Sequence, residues 1–186
     1  MEEVERRAKA VLERVPDWLW NGERLPVPVE DIADTCFGLL VRDVEDLSRA
    51  PGAPPLDGGQ LSGLLLAGPG EIWVNAGEGR SWPPRRRFTI GHELGHWELH
   101  RPGARGAVFC RHASVAEGEA DAGPDAVAVR PPVPEPEEEA NVFAAALLMP
   151  AHLIRRYYRP NGDFHELCRR FGASGAAMGR RLHAVI

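Results

Sequence analysis

The chain has 186 residues, 44% of them apolar and 26% charged, an ordinary globular composition with enough length to bury a core without disulfide staples. These figures exclude a collagen-like, coiled-coil or wholly disordered chain, and the net charge of −5 argues against an extended phosphate-binding face. No apolar run approaches the ~20 residues of a membrane span, and the charged start, Met1 to Arg7, lacks the apolar stretch of a signal peptide. The three cysteines, Cys36, Cys110 and Cys168, are widely spaced and odd in number. They predict free thiols in a reducing compartment, so a single domain over residues 1–186 in the cytoplasm is the expectation.

From the N-terminus, residues 2–14 read as a helix with Val4, Ala8, Val11 and Leu12 as its apolar stripe. Pro26 and Pro28 interrupt regular structure. A short helix follows over 29–37, with Ile32, Ala33 and Cys36 inward and Gly38 as its stop. Strands are predicted over 39–44, 61–67 and 71–75, the last two joined by Gly68-Pro69-Gly70 as an antiparallel hairpin. Residues 48–60 and 76–84 read as loops, and a long helix runs over 85–100. Residues 113–134 are rich in Ala, Gly, Pro and acid and lack periodicity, so they read as a flexible insertion. A helix over 136–149 carries Pro136 at its first position, where the missing N–H costs nothing, and Pro150 ends it. Shorter helices are expected over 151–158, 163–171 and 174–184, with Ser174 as N-cap. The fold class is α+β: a small, mostly antiparallel sheet of about three strands packed with a helical bundle.

The chemistry concentrates in His92-Glu93-Leu94-Gly95-His96, an HExxH pattern that arises by chance in roughly 2–3% of shuffled chains of this composition. Residues four apart on a helix differ by about 40° of rotation and one turn of rise, so two imidazoles reach one metal from the same face. Thr89, His92, Glu93, His96 and His100 fall within a sector of about 100°, opposite Ile90, Leu94 and Trp97. The alternative is a surface helix with scattered histidines. A polar stripe on an otherwise apolar helix instead wants a ligand or a water-filled cleft, because unpartnered buried polar groups are costly. Glu93, beside the two imidazoles, suits a general base acting on a water that zinc has acidified.

A third ligand must come from elsewhere. Eight residues of helix put His100 about 12 Å from His92, and Pro102 stands where a metzincin carries its third histidine. In Glu137-Glu138-Glu139-Ala140-Asn141, Glu137, Asn141, Ala144 and Leu148 share one helical face, while Glu139 points about 160° away from Asn141. Glu137 could ligate and Asn141 could orient a ligating histidine, with Ala144 and Ala145 small enough for two helices to approach. Equally, acidic residues in a first helical turn favour the helix dipole whatever the function. Position alone leaves both readings of Glu137 open.

Two segments carry a resemblance. Arg87-Phe88-Thr89-Ile90-Gly91-His92-Glu93-Leu94-Gly95-His96 with Leu99-His100, and Glu137 to Pro150, which reads E-x-x-A-N-x-F-A-A-x-L-L-M-P, resemble the core of the ImmA/IrrE family of metallopeptidases. Ile72-Trp73-Val74-Asn75 and Phe171-Gly172-Ala173-Ser174, followed by Ala177-Met178 and Arg181-Leu182, are similar to further parts of that family. The likeness spans about 61–186. It implies a zincin-like, gluzincin-type fold and one catalytic Zn2+ held by His92, His96 and Glu137, with Glu93 as the base. It also implies a protein substrate, a helix-turn-helix repressor of mobile elements or stress regulons, with no direct nucleic-acid or membrane binding. The chain departs from the pattern in lacking an attached helix-turn-helix segment and in the 113–134 insertion, which lengthens the gap before Glu137.

Other readings compete. A zinc-containing protein that sequesters its repressor without cutting it, or a component of a toxin–antitoxin module, would share these partners. Peptide hydrolysis needs a donor for the developing oxyanion, for which Tyr157, Tyr158, His152 and His165 are candidates. Cys110 and His112 form a weak second metal pair. Cys36 and Cys168 lie on apolar helix faces and are expected in the core. Arg85-Arg86-Arg87 is either a solvated face or a patch that steers an acidic substrate loop.

Overall fold

The computed structural model of the chain describes residues 1–50, 61–100, 108–112 and 135–186, with backbone alone for 108–112. The architecture is α+β, as expected. Helix α1 (Glu2–Glu13) buries the stripe Val4, Ala8, Val11 and Leu12. Helix α2 (Val29–Phe37) ends at Gly38, which takes the left-handed φ of 64° that glycine adopts without strain. Strand β1 (Leu40–Val44) follows, and Leu47–Arg49 forms a 3-10 turn capped by the Asp46 side chain. Cys36 is exposed, contrary to expectation. The fully buried residues of α2 end at Ile32 and Ala33, and in the last turn Phe37 rather than Cys36 packs against the core. Cys168 is buried, as expected.

Strands β2 (Leu61–Leu66) and β3 (Glu71–Asn75) form the antiparallel hairpin. The sheet holds four strands in the order β1-β3-β2-β4. The fourth strand, β4 (Val108–His112), is one that no sequence pattern announced; it pairs antiparallel with β2, while β1 pairs parallel with β3. Leu65, Ile72 and Val74 face the main core, whereas Leu61, Leu64 and Leu66 pack with Leu47 and Ala50 on the other face. This two-sided burial explains why β2 reads as a continuous apolar run rather than an alternation.

Residues 76–81, expected as loop, form a short helix, α3 (Ala76–Ser81). Its two glycines mask it in the sequence, and the Asn75 side chain starts it by accepting from the Glu78 N–H at 2.9 Å. Helix α4 (Pro83–His100) crosses the main-core face of the sheet. Helix α5 (Glu135–Leu148) lies along α4, and α1 packs on α5. The chain closes with α6 (Ala151–Tyr157), α7 (Phe164–Phe171) and α8 (Gly175–Val185), the last capped by Ser174 as expected. Insertion residues 113–134 lie outside the described residues.

Candidate metal centre

From Thr89 to Trp97, α4 is buried on every side, which excludes the surface-helix alternative. One flank lies against α5 through small residues. A Cβ on Gly95 would stand 3.1 Å from the Ala140 Cα and 3.2 Å from its carbonyl oxygen, and one on Gly91 would stand 3.4 Å from the Ala144 Cβ. Two turns of α4 thus present bare backbone to two alanines of α5. This seam is what brings the first turn of α5 within reach of the histidine stripe. Ala144 belongs to it as expected, and the glycines opposite are its unforeseen half.

Three donor groups meet there. His92 Nε2 lies 3.0 Å from His96 Nε2, and the Glu137 carboxylate bridges both, with Oε2 at 3.2 Å from His92 and Oε1 at 3.1 Å from His96. Both histidines are fully buried, and the Glu137 side chain is 28% exposed. Burial pushes the Glu137 carboxyl up, but its close contacts with the His92 and His96 rings outweigh that and hold it well below the ordinary range.

The outer nitrogens define what faces inward. His92 Nδ1 lies 3.1 Å from Asn141 Oδ1. An amide oxygen only accepts, so Nδ1 carries the proton and Nε2 turns its lone pair toward Glu137. Two imidazole lone pairs and a carboxylate crowded together repel one another unless a cation or a shared proton lies between them. Tetrahedral zinc, with bonds of about 2.0–2.1 Å to nitrogen, would set two nitrogen ligands about 3.3–3.4 Å apart. The observed separations fall within a few tenths of an ångström of that edge, so the donor set and its spacing fit a zinc ion. Among the described residues, this trio is the group of His, Cys, Asp and Glu side chains arranged to hold a metal.

Glu93 is fully buried on the sheet side of the stripe. Gly63 of β2 makes room for it: a Cβ there would overlap the Thr89 methyl, approach the Trp73 carbonyl oxygen to 2.9 Å and come within 3.6 Å of Glu93 Oε1. The strand therefore passes the general-base candidate with no side chain between.

The profile of the IrrE N-terminal-like domain, Peptidase_M78, matches residues 70–183, well over half of the chain. The chain belongs to this metallopeptidase family. No curated protein matches it. The Peptidase_M78 match covers α4, α5 and the helices up to α8 and leaves α1, α2 and β1 outside it, close to the extent that the residue resemblance implied.

The remaining candidates are placed as follows. His100 is not part of the trio; its Nδ1 lies 3.1 Å behind His96, at that residue's Nδ1. His152 contacts the Gly22 carbonyl at 3.1 Å. Tyr157 stacks edge-on against Phe171 under the Arg170 guanidinium, Tyr158 packs on the main core, and His165 lies beside Phe164. Cys110 and His112 lie on β4, of which the backbone alone is described. The three arginines form neither a solvated face nor a steering patch. Arg85 is buried and pairs with Glu78, Arg86 bridges Glu30 and Asp43, and Arg87 donates to the Val27 carbonyl at 2.7 Å. No described helix is long and apolar enough to cross a membrane.

Proposed function

We propose that the chain is a zinc-dependent endopeptidase that cuts a partner protein, a helix-turn-helix repressor, to relieve repression. His92, His96 and Glu137 would hold the ion, and Glu93 would be the general base. The single observation that carries this reading is the convergence of the three donors across the α4–α5 seam. The Peptidase_M78 membership supports the peptidase class. The repressor as substrate rests on the ImmA/IrrE resemblance.

A zinc ion there supplies Lewis acidity, acidifying a water and polarising the scissile carbonyl. Glu137 and the two imidazoles supply the negative charge and lone pairs that retain the ion. Asn141 holds the His92 ring so that Nε2 faces inward. Glu93 accepts the proton of the attacking water and returns it to the departing amine, in a site whose burial strengthens each charge interaction.

The test incubates purified zinc-loaded protein, at substoichiometric amounts, with a helix-turn-helix protein taken from a neighbouring gene as the candidate repressor. Cleavage with turnover is expected, blocked by a chelator, and absent in Glu93→Gln while zinc stays bound. Cleavage by Glu93→Gln overturns the mechanism. Relief of operator binding only at equimolar protein, with the repressor intact, establishes the sequestering alternative instead.

A further inference from the structure

His100 completes the polar stripe of α4, yet the proposed chemistry gives it no task. Its Nδ1 lies 3.1 Å from His96 Nδ1, and its Nε2 lies 2.8 Å from Glu139 Oε2. The His100 side chain is 15% exposed and that of Glu139 34%. Glu139 leaves α5 on a different side from Glu137 and Asn141 and meets α4 one turn beyond His96. With His100 as a neutral ring, the hydrogen bonds in this chain run in one direction. A carboxylate only accepts, so His100 Nε2 carries a proton and donates to Glu139. The neutral imidazole then offers Nδ1 as an acceptor, and His96 Nδ1 donates to it. His96 is left with its Nε2 lone pair turned toward His92 and Glu137.

We propose that His100 and Glu139 are positioning residues that fix the tautomer and orientation of His96 as a zinc ligand, through the relay Glu139–His100–His96. This rests on the zinc reading above. It makes the two histidine ligands unequal. His92 is steadied by the neutral amide of Asn141, whereas His96 is backed through a polarisable ring by a full negative charge, which strengthens it as a donor. One helix, α5, thus supplies a ligand, the amide behind His92 and the carboxylate that ends the relay behind His96, all within five residues, Glu137 to Asn141.

The relay is tested by measuring zinc affinity by chelator competition at fixed neutral pH, with the visible spectrum of the cobalt(II)-loaded protein as a second readout. His100→Phe is expected to weaken zinc about 10- to 100-fold and Glu139→Gln about three- to tenfold, and both are expected to change the cobalt spectrum. The double variant should bind no more weakly than His100→Phe, because Glu139 acts only through His100. Affinities within twofold of the parent in both single variants, or losses that simply multiply in the double variant, overturn the relay. If His100→Phe does not fold, the near-isosteric Glu139→Gln decides alone. His96→Ala separates the two ideas. If it too leaves zinc affinity unchanged, the zinc reading fails; if it abolishes binding while the relay variants match the parent, only the relay is wrong.

Discussion

The two halves of α4 spend their polar side chains in opposite ways. In the first half, Arg85, Arg86 and Arg87 are consecutive, so each step turns about 100° around the helix. The three guanidinium groups reach three different sets of neighbours: Ser62 of β2 and Glu78 of α3, then Glu30 of α2 with Asp43 of β1, then the Val27 carbonyl. In the second half, His92, His96 and His100 are four apart and stay within one stripe, so their rings all meet the first turns of α5, at Glu137, Glu139 and Asn141. Consecutive charges tie a helix to its surroundings, and charges spaced by a turn gather at one place. Length of run says less about function than spacing does.

The comparison breaks most sharply in the second half. His96→Ala or Glu137→Ala removes a donor from the trio and should weaken zinc by more than about a hundredfold, measured by chelator competition, since losses of 10- to 100-fold already follow from outer partners. Glu93→Gln should keep zinc and reduce the rate of repressor cleavage by about 10²- to 10⁴-fold, the usual contribution of a positioned base. Zinc loss in that variant would show that Glu93 is a ligand or a structural support rather than a base.

The seam between the halves' packing partners gives a middle-sized effect. Gly95→Ala would push a methyl to 3.1 Å from the Ala140 backbone. Overpacking of this kind costs about 1–3 kcal/mol, against the ~1 kcal/mol that Ala gains over Gly in a helix. Net destabilisation on chemical unfolding, together with weaker zinc because α5 moves off, is expected. A stabilised protein with unchanged zinc affinity would show that the seam has slack.

In the first half the effects are small and leave zinc alone. Arg86 is 21% exposed while its partners Glu30 and Asp43 are about half exposed, so solvent screens the network. Arg86→Met should cost only about 0.5–1 kcal/mol of stability with zinc affinity unchanged. The pH dependence sharpens the point. The hydrogen bond from Arg86 holds the Asp43 carboxyl below its ordinary range against a smaller upward push from burial. A carboxylate depressed in the folded state stabilises above its unfolded pKa and loses that contribution as pH falls through the folded one. The stability gap between parent and Arg86→Met should therefore be full above about pH 4 and close below it.

The same distinction governs what could be read from the sequence. His92, Glu93 and His96 were legible because local helix geometry alone brings i and i+4 together. Asn141 was legible as a partner for a histidine because it lies one turn from Glu137. Glu139 was not: the wheel shows it leaving the Glu137 face but cannot show that His100 waits there, which depends on how α4 and α5 cross. Gly91 and Gly95 stand in the motif without a stated role, and the approach of Ala140 and Ala144 explains them. Strand β4 is a short stretch that ends in Cys110-Arg111-His112 and lacks the apolar run and the joining turn to a partner strand that betrayed the hairpin, and α3 hides behind Gly77 and Gly79. Cys36 lies on the apolar side of its wheel, yet at that end of α2 Phe37 makes the core contact and Cys36 is exposed. The arginine run was ambiguous because its meaning depends on acids brought from residues 30, 43 and 78.

The most direct test of the metal trio is a crystal structure of zinc-loaded protein with anomalous scattering recorded on both sides of the zinc edge. The account predicts a single anomalous peak about 2.0–2.2 Å from His92 Nε2, His96 Nε2 and a Glu137 carboxylate oxygen. A peak elsewhere, or one that binds the histidines while Glu137 points away, would contradict it.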